Sequence, residues 1–550
     1  MFFRTKRAGD RQYLQIAENR WEDGRSRQRV IATLGRIDQL KASGELDRLL
    51  RSGARFAEAS VLLTAFDRGE FGEVARTKIG PALVFERLWE ESGCRAVIAD
   101  LLKHRAFEFP VERAIFLEVL HRLIRPGSDR AGAAWKADYA VDGIESLALH
   151  HAYRAMAWLG DELPSDQQFG KTPFAPRTTK DRIEEALFAR RRDLFTGLDL
   201  VFFDTTSLFF TGEGGESIGK FGHSKDHRPD HKQMVVAVVL DTKGRPILCE
   251  LWPGNTADVK TLASIADRIE TRFGVRHICV VADRGMVSKE AIREFERRKW
   301  LYVLGARMRI NHEVRDNVLA RGGRYQEVVG PRETSKDPAP LKVKEVHTAT
   351  GRYIVCLNDE QARKDAADRA AIIAALKEQL KSGAKSLVGN KGYRKYLKSG
   401  GATFAIDEDK IQEEARFDGK WVITTNTDMT AAEAALVYKQ LWTVEQIFRT
   451  SKSILETRPI FHKHDETIRG HVFCSFLALV LRKELEDRLA AAGHKFEWAD
   501  IVRDLDGLCE IMIDQDGKRF VLRTAPTGVC GKVVQAVGVA LPPTVRQAAS

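Results

Sequence analysis

The sequence predicts a mixed α/β fold, a sheet flanked by helices, with an inserted mainly β region and a helical region on its N-terminal side. Three observations carry this. Between residues 198 and 305, apolar runs of strand length and amphipathic runs of helix length follow the order β-β-β-α-β-α-β. Between 310 and 424, short alternating strands predominate, and between 79 and 193 the periodicity is helical, broken at Pro110, Pro126-Gly127 and Pro164 to Pro176.

At roughly 100 to 200 residues per domain, 550 residues make room for three to five units. The composition shifts place them at 1–78 (a basic region with a β-hairpin), 79–196 (helical), 197–309 (core, first part), 310–424 (inserted), 425–490 (core, second part) and 491–550 (C-terminal). Met1 to Leu40 carries nine Lys/Arg against five Asp/Glu, and Tyr13 to Ile16 and Arg29 to Ala32 read as strands around a Trp21 to Arg25 turn. Helices follow at Ala82 to Ser92, Val111 to Arg125, Ile144 to Leu159 and Lys180 to Phe195, the last with the run Arg190-Arg191-Arg192. A DNA-binding module and a structural bundle both have this texture, and 79–196 is the expected DNA-binding domain.

Leu198 to Phe203 is a nearly unbroken apolar run ending at Asp204, the pattern of a central strand with a carboxylate at its end. Gln233 to Leu240 and Pro246 to Trp252 form a hairpin around Asp241 to Gly244. A helix from Val259 to Phe273, a strand from His277 to Ala282 stopping at Asp283, a helix from Lys289 to Arg298 and a strand from Leu301 to Gly305 complete the order. The insertion holds strands at Leu341 to Val346 and Tyr353 to Leu357, a long helix near Asp365 to Ser382, a Gly- and Lys-rich stretch and a strand at Lys420 to Thr425. After Asp428 and Thr430, a helix carries Tyr438, Glu445 and Lys452 at intervals of seven, so all three project from one face, with Arg449 beside them. Ile468 to Leu489 is helical, and Cys509 to Arg523 is a hairpin around Asp514 to Gly517.

Two acids that each close a core strand, with Glu445 brought beside them, form a carboxylate cluster that repels itself unless cations occupy it. Two Mg²⁺ or Mn²⁺ ions roughly 3.5 to 4 Å apart suit such a set, and the cations around Glu445 suit phosphate oxygens. A net charge of +11 and a pI near 9.2 point to a polyanionic partner.

Other signals carry less. His223, His227 and His231 recur every fourth residue, as zinc ligands on a helix would, but Pro229 breaks that helix, and with Lys225, Arg228 and Lys232 the segment reads as a loop on a DNA backbone. Gly214-(x4)-Gly219-Lys220 imitates a phosphate-binding loop, yet Phe221 stands where Ser or Thr is needed. Trp421 reads as core, and His462 and His471 as satisfied structural histidines. Seven scattered cysteines without a CxxC pair point to reduced, buried thiols. The chain starts without an apolar h-region, and no apolar run is long enough to span a bilayer, so the cytoplasm is expected.

Asp204-Thr205-Thr206, Asp283-Arg284-Gly285-Met286 and Tyr438-(x6)-Glu445-(x6)-Lys452 together resemble the DDE transposases of bacterial insertion sequences, in the branch with a Tyr-Arg-Glu-Lys signature. The element order over roughly 197 to 490 is similar to their RNase H-like core. Further likeness lies in Pro253 to Asp258, Arg458 to His462 and Ile468 to His471, whereas Leu441 stands where the signature has Arg, with Arg449 as a substitute. The resemblance implies an enzyme that binds terminal inverted repeats, cleaves the ends and joins their 3′-hydroxyls to target DNA, as a homodimer on DNA. It implies Asp204, Asp283 and Glu445 as holders of the two ions and Tyr438 and Lys452 as contacts to the DNA backbone, beside Arg449, Lys225 and Arg228. An RNase H-like nuclease that cuts without joining, and a domesticated DNA-binding protein with an inert metal site, are the alternatives.

Overall fold

A computed structural model describes residues 2–22, 25–54, 75–169, 175–191, 199–275, 278–332, 337–381, 395–400, 403–515 and 518–547. Asp23 and Gly24 of the expected first turn, Arg192 of the arginine run, Leu198, His277, the Gly- and Lys-rich stretch at 382–394 and the hairpin tip Asp516-Gly517 lie outside the described residues. The chain divides into two units: residues 1–80 with 498–534 and 540–550, and residues 81–497 with 535–539.

The first unit opens with an antiparallel sheet of β1 (Phe2–Ala8), β2 (Arg11–Glu22) and β3 (Arg25–Arg36), one strand more than the expected hairpin. Phe-Phe-Arg-Thr-Lys-Arg is too polar to read as a strand by itself; pairing with β2 over its whole length makes it one. Two helices follow, α1 (Ile37–Ala42) and α2 (Glu45–Ala54). Then β4 (Ala75–Lys78) joins a second sheet with strands at Cys509–Gln515, Lys518–Arg523 and Val545–Gln547.

In the second unit, α3 (Gly80–Glu91), α4 (Cys94–Leu102), α5 (Val111–Ile124), α6 (Asp129–Trp135), α7 (Leu149–Gly160) and α8 (Thr179–Arg191) precede β5 (Asp199–Phe209), β6 (Gln233–Leu240) and β7 (Pro246–Pro253). There follow α9 (Asp258–Phe273), β8 (Ile278–Ala282), α10 (Lys289–Arg297) and β9 (Leu301–Ala306). Next come β10 (Gln326–Val329), β11 (Leu341–Thr348), β12 (Gly351–Leu357), α11 (Asp359–Lys381), the β13–β14 pair (Leu397–Gly400, Thr403–Ile406), α12 (Glu408–Ala415) and β15 (Lys420–Thr425). Three helices close the unit: α13 (Ala431–Lys439), α14 (Trp442–Arg449) and α15 (Asp465–Ala491).

The expected β-β-β-α-β-α-β core is present. One nine-stranded sheet runs β10-β11-β12-β15-β9-β8-β5-β6-β7, with β5, β8 and β9 parallel and the other pairs antiparallel. β10, β11, β12 and β15, all from the insertion, are hydrogen-bonded into this same sheet. Helices cover both faces, because each face carries one parity of side chains. On one face Val201, Phe203, Val235 and Trp252 pack with Leu262, Ile265 and Phe295 from α9 and α10. On the other, Phe202, Val238, Val281 and Val303 pack beneath Ala434, Val444 and Phe448 of α13 and α14. Each fully buried Val, Leu or Phe there stabilises the fold by about 1.5–3 kcal/mol.

The helical region is anchored by α15, which packs along α5 and α7. Gly470 permits the close crossing: a Cβ there would stand 1.9 Å from the Met156 carbonyl. Apart from Glu112, every residue of α5 is buried, including the paired Arg122 and Glu118, so this helix has no free face to offer a DNA groove. All seven cysteines are buried and free, as expected. Among the described residues, no helix is long and apolar enough to cross a membrane.

Candidate active site

β5 and β8 pair in parallel with Phe203 opposite Ala282, so Asp204 and Asp283 occupy the next rung together. Phe202 and Val281 lie in the core beneath α13 and α14; by the period of two along a strand, Asp204 and Asp283 face the same way. Glu445 follows buried Val444 on α14, which packs on β5, and is itself exposed.

One expectation changes here. Asp204 does not end its strand, because β5 continues to Phe209, paired with β6 through Thr205, Ser207 and Phe209. The acid stands instead where β8 stops, and the missing neighbour opens space beside it.

Asp204 feels the charge of both other acids. Asp204 accepts the Thr205 backbone N–H at 2.7 Å, yet burial pushes its carboxyl up to about 6, with repulsion from Asp283 and Glu445 adding to the rise and Lys225 opposing it. Lys225 donates to the Thr205 carbonyl and hydroxyl at 2.7 and 2.8 Å and faces Asp258 at 3.3 Å. Beside this pair lies a cleft of about 290 Å³ lined by Ser207, His223, Lys225, Asp258, Gly285 and Arg307. Arg307 donates to the carbonyls of Arg284 and Gly285 at 3.0 and 2.9 Å, fixing the turn after Asp283.

The helix expected to carry Tyr438, Glu445 and Lys452 on one straight face comes in three pieces. At the α13–α14 joint, Leu441 N–H bonds Tyr438 O and Val444 N–H bonds Leu441 O, tight i→i+3 contacts that turn the chain while Leu441 is buried in the core. Beyond Arg449 the helix widens into a π-turn, Thr450–Ile454. Tyr438 therefore points at Asp283 and donates its hydroxyl to Oδ1 at 2.9 Å; burial and that carboxylate hold the phenol well above its usual range. Gly305 of β9 makes the room, since a Cβ there would meet the Tyr438 hydroxyl at 2.3 Å and the Arg284 backbone nitrogen at 2.7 Å. Lys452 is turned to Asp226 at 2.8 Å, where Arg458 also reaches at 3.2 Å, and burial lowers the lysine from its ordinary value. Arg449 is exposed at the end of α14. Arg228 lies against Phe209 and bonds Asp230 at 3.1 and 3.2 Å. Sequence reasoning missed Asp226, Gly305 and Arg307; only Arg307, a cation just past a strand end, carried a readable signal.

Among the described residues, two groups bring their ligand atoms within 4.8 Å of one another, Asp181, Glu184 and Glu250, and Asp129, His462 and His471, whereas Asp204, Asp283 and Glu445 stand farther apart than that. The first is already neutralised, with Arg272 on all three acids, Arg268 on Asp181 and Glu250, and Lys180 on Asp181 and Glu184. Three buried cations against three buried anions leave nothing for a metal to balance. In the second, the Arg122 guanidinium stands 2.9 Å from His471 Nδ1 and takes the ligand position, in keeping with the structural role expected for both histidines. Among the described residues, the Asp204, Asp283 and Glu445 set, three hard oxygen donors against one lysine already shared with Asp258, is the one of these three with charge to spare. It fits a divalent oxygen-binding ion.

Residues 196–481 match the family model described as the transposase DDE domain, and residues 3–64 match the IS1634 family transposase N-terminal domain. The chain belongs to the DDE transposase family. The N-terminal match is to a family of insertion-sequence transposases, and the DDE domain implies use of a divalent metal. No individually curated protein matches this transposase. Among solved structures, it is similar to the Mos1 transposase paired-end complex with left transposon end, at 13% identity over 36% of this chain and 60% of that chain, with a TM-score of 0.14.

Proposed function

We propose that this transposase binds the terminal inverted repeats of its element, cleaves the ends and transfers them to target DNA by two-metal phosphoryl transfer, with Asp204, Asp283 and Glu445 as the catalytic ligands of two Mg²⁺ or Mn²⁺ ions. The observation that supports this most is the pairing of β5 with β8, which sets two acids on one rung beneath the glutamate helix. When bound, such ions activate a water or a DNA 3′-hydroxyl and stabilise the leaving oxygen. The chain's own residues do the rest. Tyr438 orients the Asp283 carboxylate, Arg307 holds the turn that carries it, and Lys225 tempers the charge on Asp204. Exposed Arg449 and Arg228 reach phosphate oxygens, while Lys452, through Asp226, holds the loop that carries Lys225 and Arg228 against the DNA path. Two ends to be joined imply a homodimer on DNA in the cytoplasm, at the nucleoid.

Cleavage of supercoiled plasmid and of duplexes carrying the element's ends tests this. Asp283→Asn is expected to abolish Mg²⁺-dependent cutting while keeping duplex affinity in Ca²⁺ within about threefold. Equal cutting by variant and parent removes Asp283 from the site. Cutting without any joined product would favour the nuclease alternative.

A further inference from the structure

The N-terminal sheet has two unlike faces. Residues opposite one another in antiparallel strands share a face, and the register sets Phe2, Arg4, Lys6, Arg11, Tyr13, Gln15, Asn19, Trp21, Gln28 and Thr33 on one side. The other side meets α1, where a Cβ on Gly35 would touch Leu40 at 3.4 Å. Along the three strands stand nine Lys/Arg and two Glu, and by alternation Glu18 falls on the α1 side. Among the described side chains, the first face carries cations, amides and hydroxyls and no carboxylate from its own strands. Lys6, Asn19, Gln28 and Thr33 on it are exposed and Trp21 is at 77% exposure, while Gln15 and Ala17 at its centre are buried.

Its polar side chains are pre-arranged across the strands. Arg4 donates to Gln15 at 3.1 Å and to Gln28 at 2.9 Å, and Gln15 donates to Thr33 at 3.0 Å. Arg, Gln, Asn and Thr are the side chains whose donor and acceptor pairs match base edges in the major groove. At about 4.8 Å per strand the outer strands lie roughly 10 Å apart, within a groove about 12 Å wide. Irregular register at Leu14/Gln15 and at Ile16/Ala17 adds twist, as a sheet following a groove requires.

We infer that this face of β1–β3 reads base edges in the major groove of duplex DNA and selects the sequence on which the transposase acts. The inference rests on the proposed function, and assigns sequence selection to the N-terminal sheet instead of the helices of 79–196. Arg4 and Gln28 exchange their mutual bond for base edges, Asn19 and Thr33 read neighbouring positions, and Lys6 and Arg11 meet flanking phosphates.

The probe is a duplex pool with about 30 randomised base pairs, selected in Ca²⁺ by the full-length protein, at a length that spans roughly three turns of DNA. The parent is expected to enrich a motif. Asn19→Ala/Gln28→Ala is expected to lose preference at one or two positions of it and to bind the selected duplex about ten- to hundredfold more weakly. Gln28→Glu is expected to shift one position toward cytosine. Arg4→Ala/Lys6→Ala is expected to weaken binding and flatten the salt dependence by about two units of slope, whereas Arg7→Ala/Arg27→Ala, an equal charge loss on the α1 side, changes the selected motif not at all. An unchanged thermal midpoint certifies each variant as folded. The inference is overturned if the Asn19/Gln28 and Gln28 variants keep the parent's motif and affinity, if the α1-side variant alone alters the motif, or if the parent enriches none. Mg²⁺-dependent plasmid cutting reports separately on the Asp204 site, so failure of one reading is distinguishable from failure of the other.

Discussion

Replacing Asp204 with Asn should make the metal-free transposase more stable, though it removes a proposed catalytic ligand. Burial and the neighbouring acids raise the Asp204 carboxyl from 3.8 to about 6 in the folded protein. At about 1.36 kcal/mol per pKa unit, that rise is up to about 3 kcal/mol of destabilisation when the group is ionised. The sign follows from proton uptake. Between 3.8 and about 6 the folded chain holds the proton that the unfolded chain has released, so stability falls as pH rises through that window. The full cost applies above it and vanishes below it. Asn keeps an oxygen for the Thr205 N–H and carries no charge. Urea unfolding of the full chain in a chelator should therefore give Asp204→Asn an advantage of about 1–3 kcal/mol near pH 8, shrinking toward zero near pH 4. Mg²⁺ should stabilise the parent and not the variant. A variant equal to or less stable than the parent near pH 8 would refute the account of Asp204 as a self-repelling, partly desolvated acid.

Tyr438→Phe removes the hydroxyl that orients Asp283; cleavage should fall about ten- to hundredfold with little change in thermal midpoint, since a hydrogen bond to a charged group contributes roughly 1.5–3 kcal/mol. Gly305→Ala inserts a methyl between the Tyr438 hydroxyl and the Arg284 backbone, so it should destabilise by about 1–3 kcal/mol and slow cleavage at least as much as Tyr438→Phe, measured by urea unfolding and plasmid assay. Arg272→Met leaves Asp181, Glu184 and Glu250 short of one cation and should cost about 3–5 kcal/mol, with no recovery on adding Mg²⁺; recovery would mean that this cluster takes a metal after all.

Some of the site was legible because the signal was local. Ile-Cys-Val-Val-Ala before Asp283 reads as a buried strand, and α13, the helix of Tyr438, announces its start through Thr430, whose hydroxyl accepts the Glu433 N–H. Asp204 was half legible. Thr-Thr-Ser after it reads as the end of a strand, and only pairing with β6, whose residues lie some 30 positions away, carries β5 onward. The straight stripe through Tyr438, Glu445 and Lys452 was misleading because spacing alone assumes an unbroken α-helix, whereas burial of Leu441 and the π-turn rotate its ends. The Asp181–Arg272 network was invisible: on paper its charges at helical spacing look solvated, and only the packing of α8 against α9 and β7 shows them to be interior.

The route of the chain through the large sheet also sets an order of assembly. β15 lies between β9 and β12 and leads directly into the segment that bears Glu445, about 160 residues after Asp283. During synthesis the two aspartates leave the ribosome long before the third acid, and that acid is delivered only after the intervening strands have docked. On the proposed function, a nascent or truncated chain ending before α13 would hold two of the three proposed carboxylates and would lack catalytic competence.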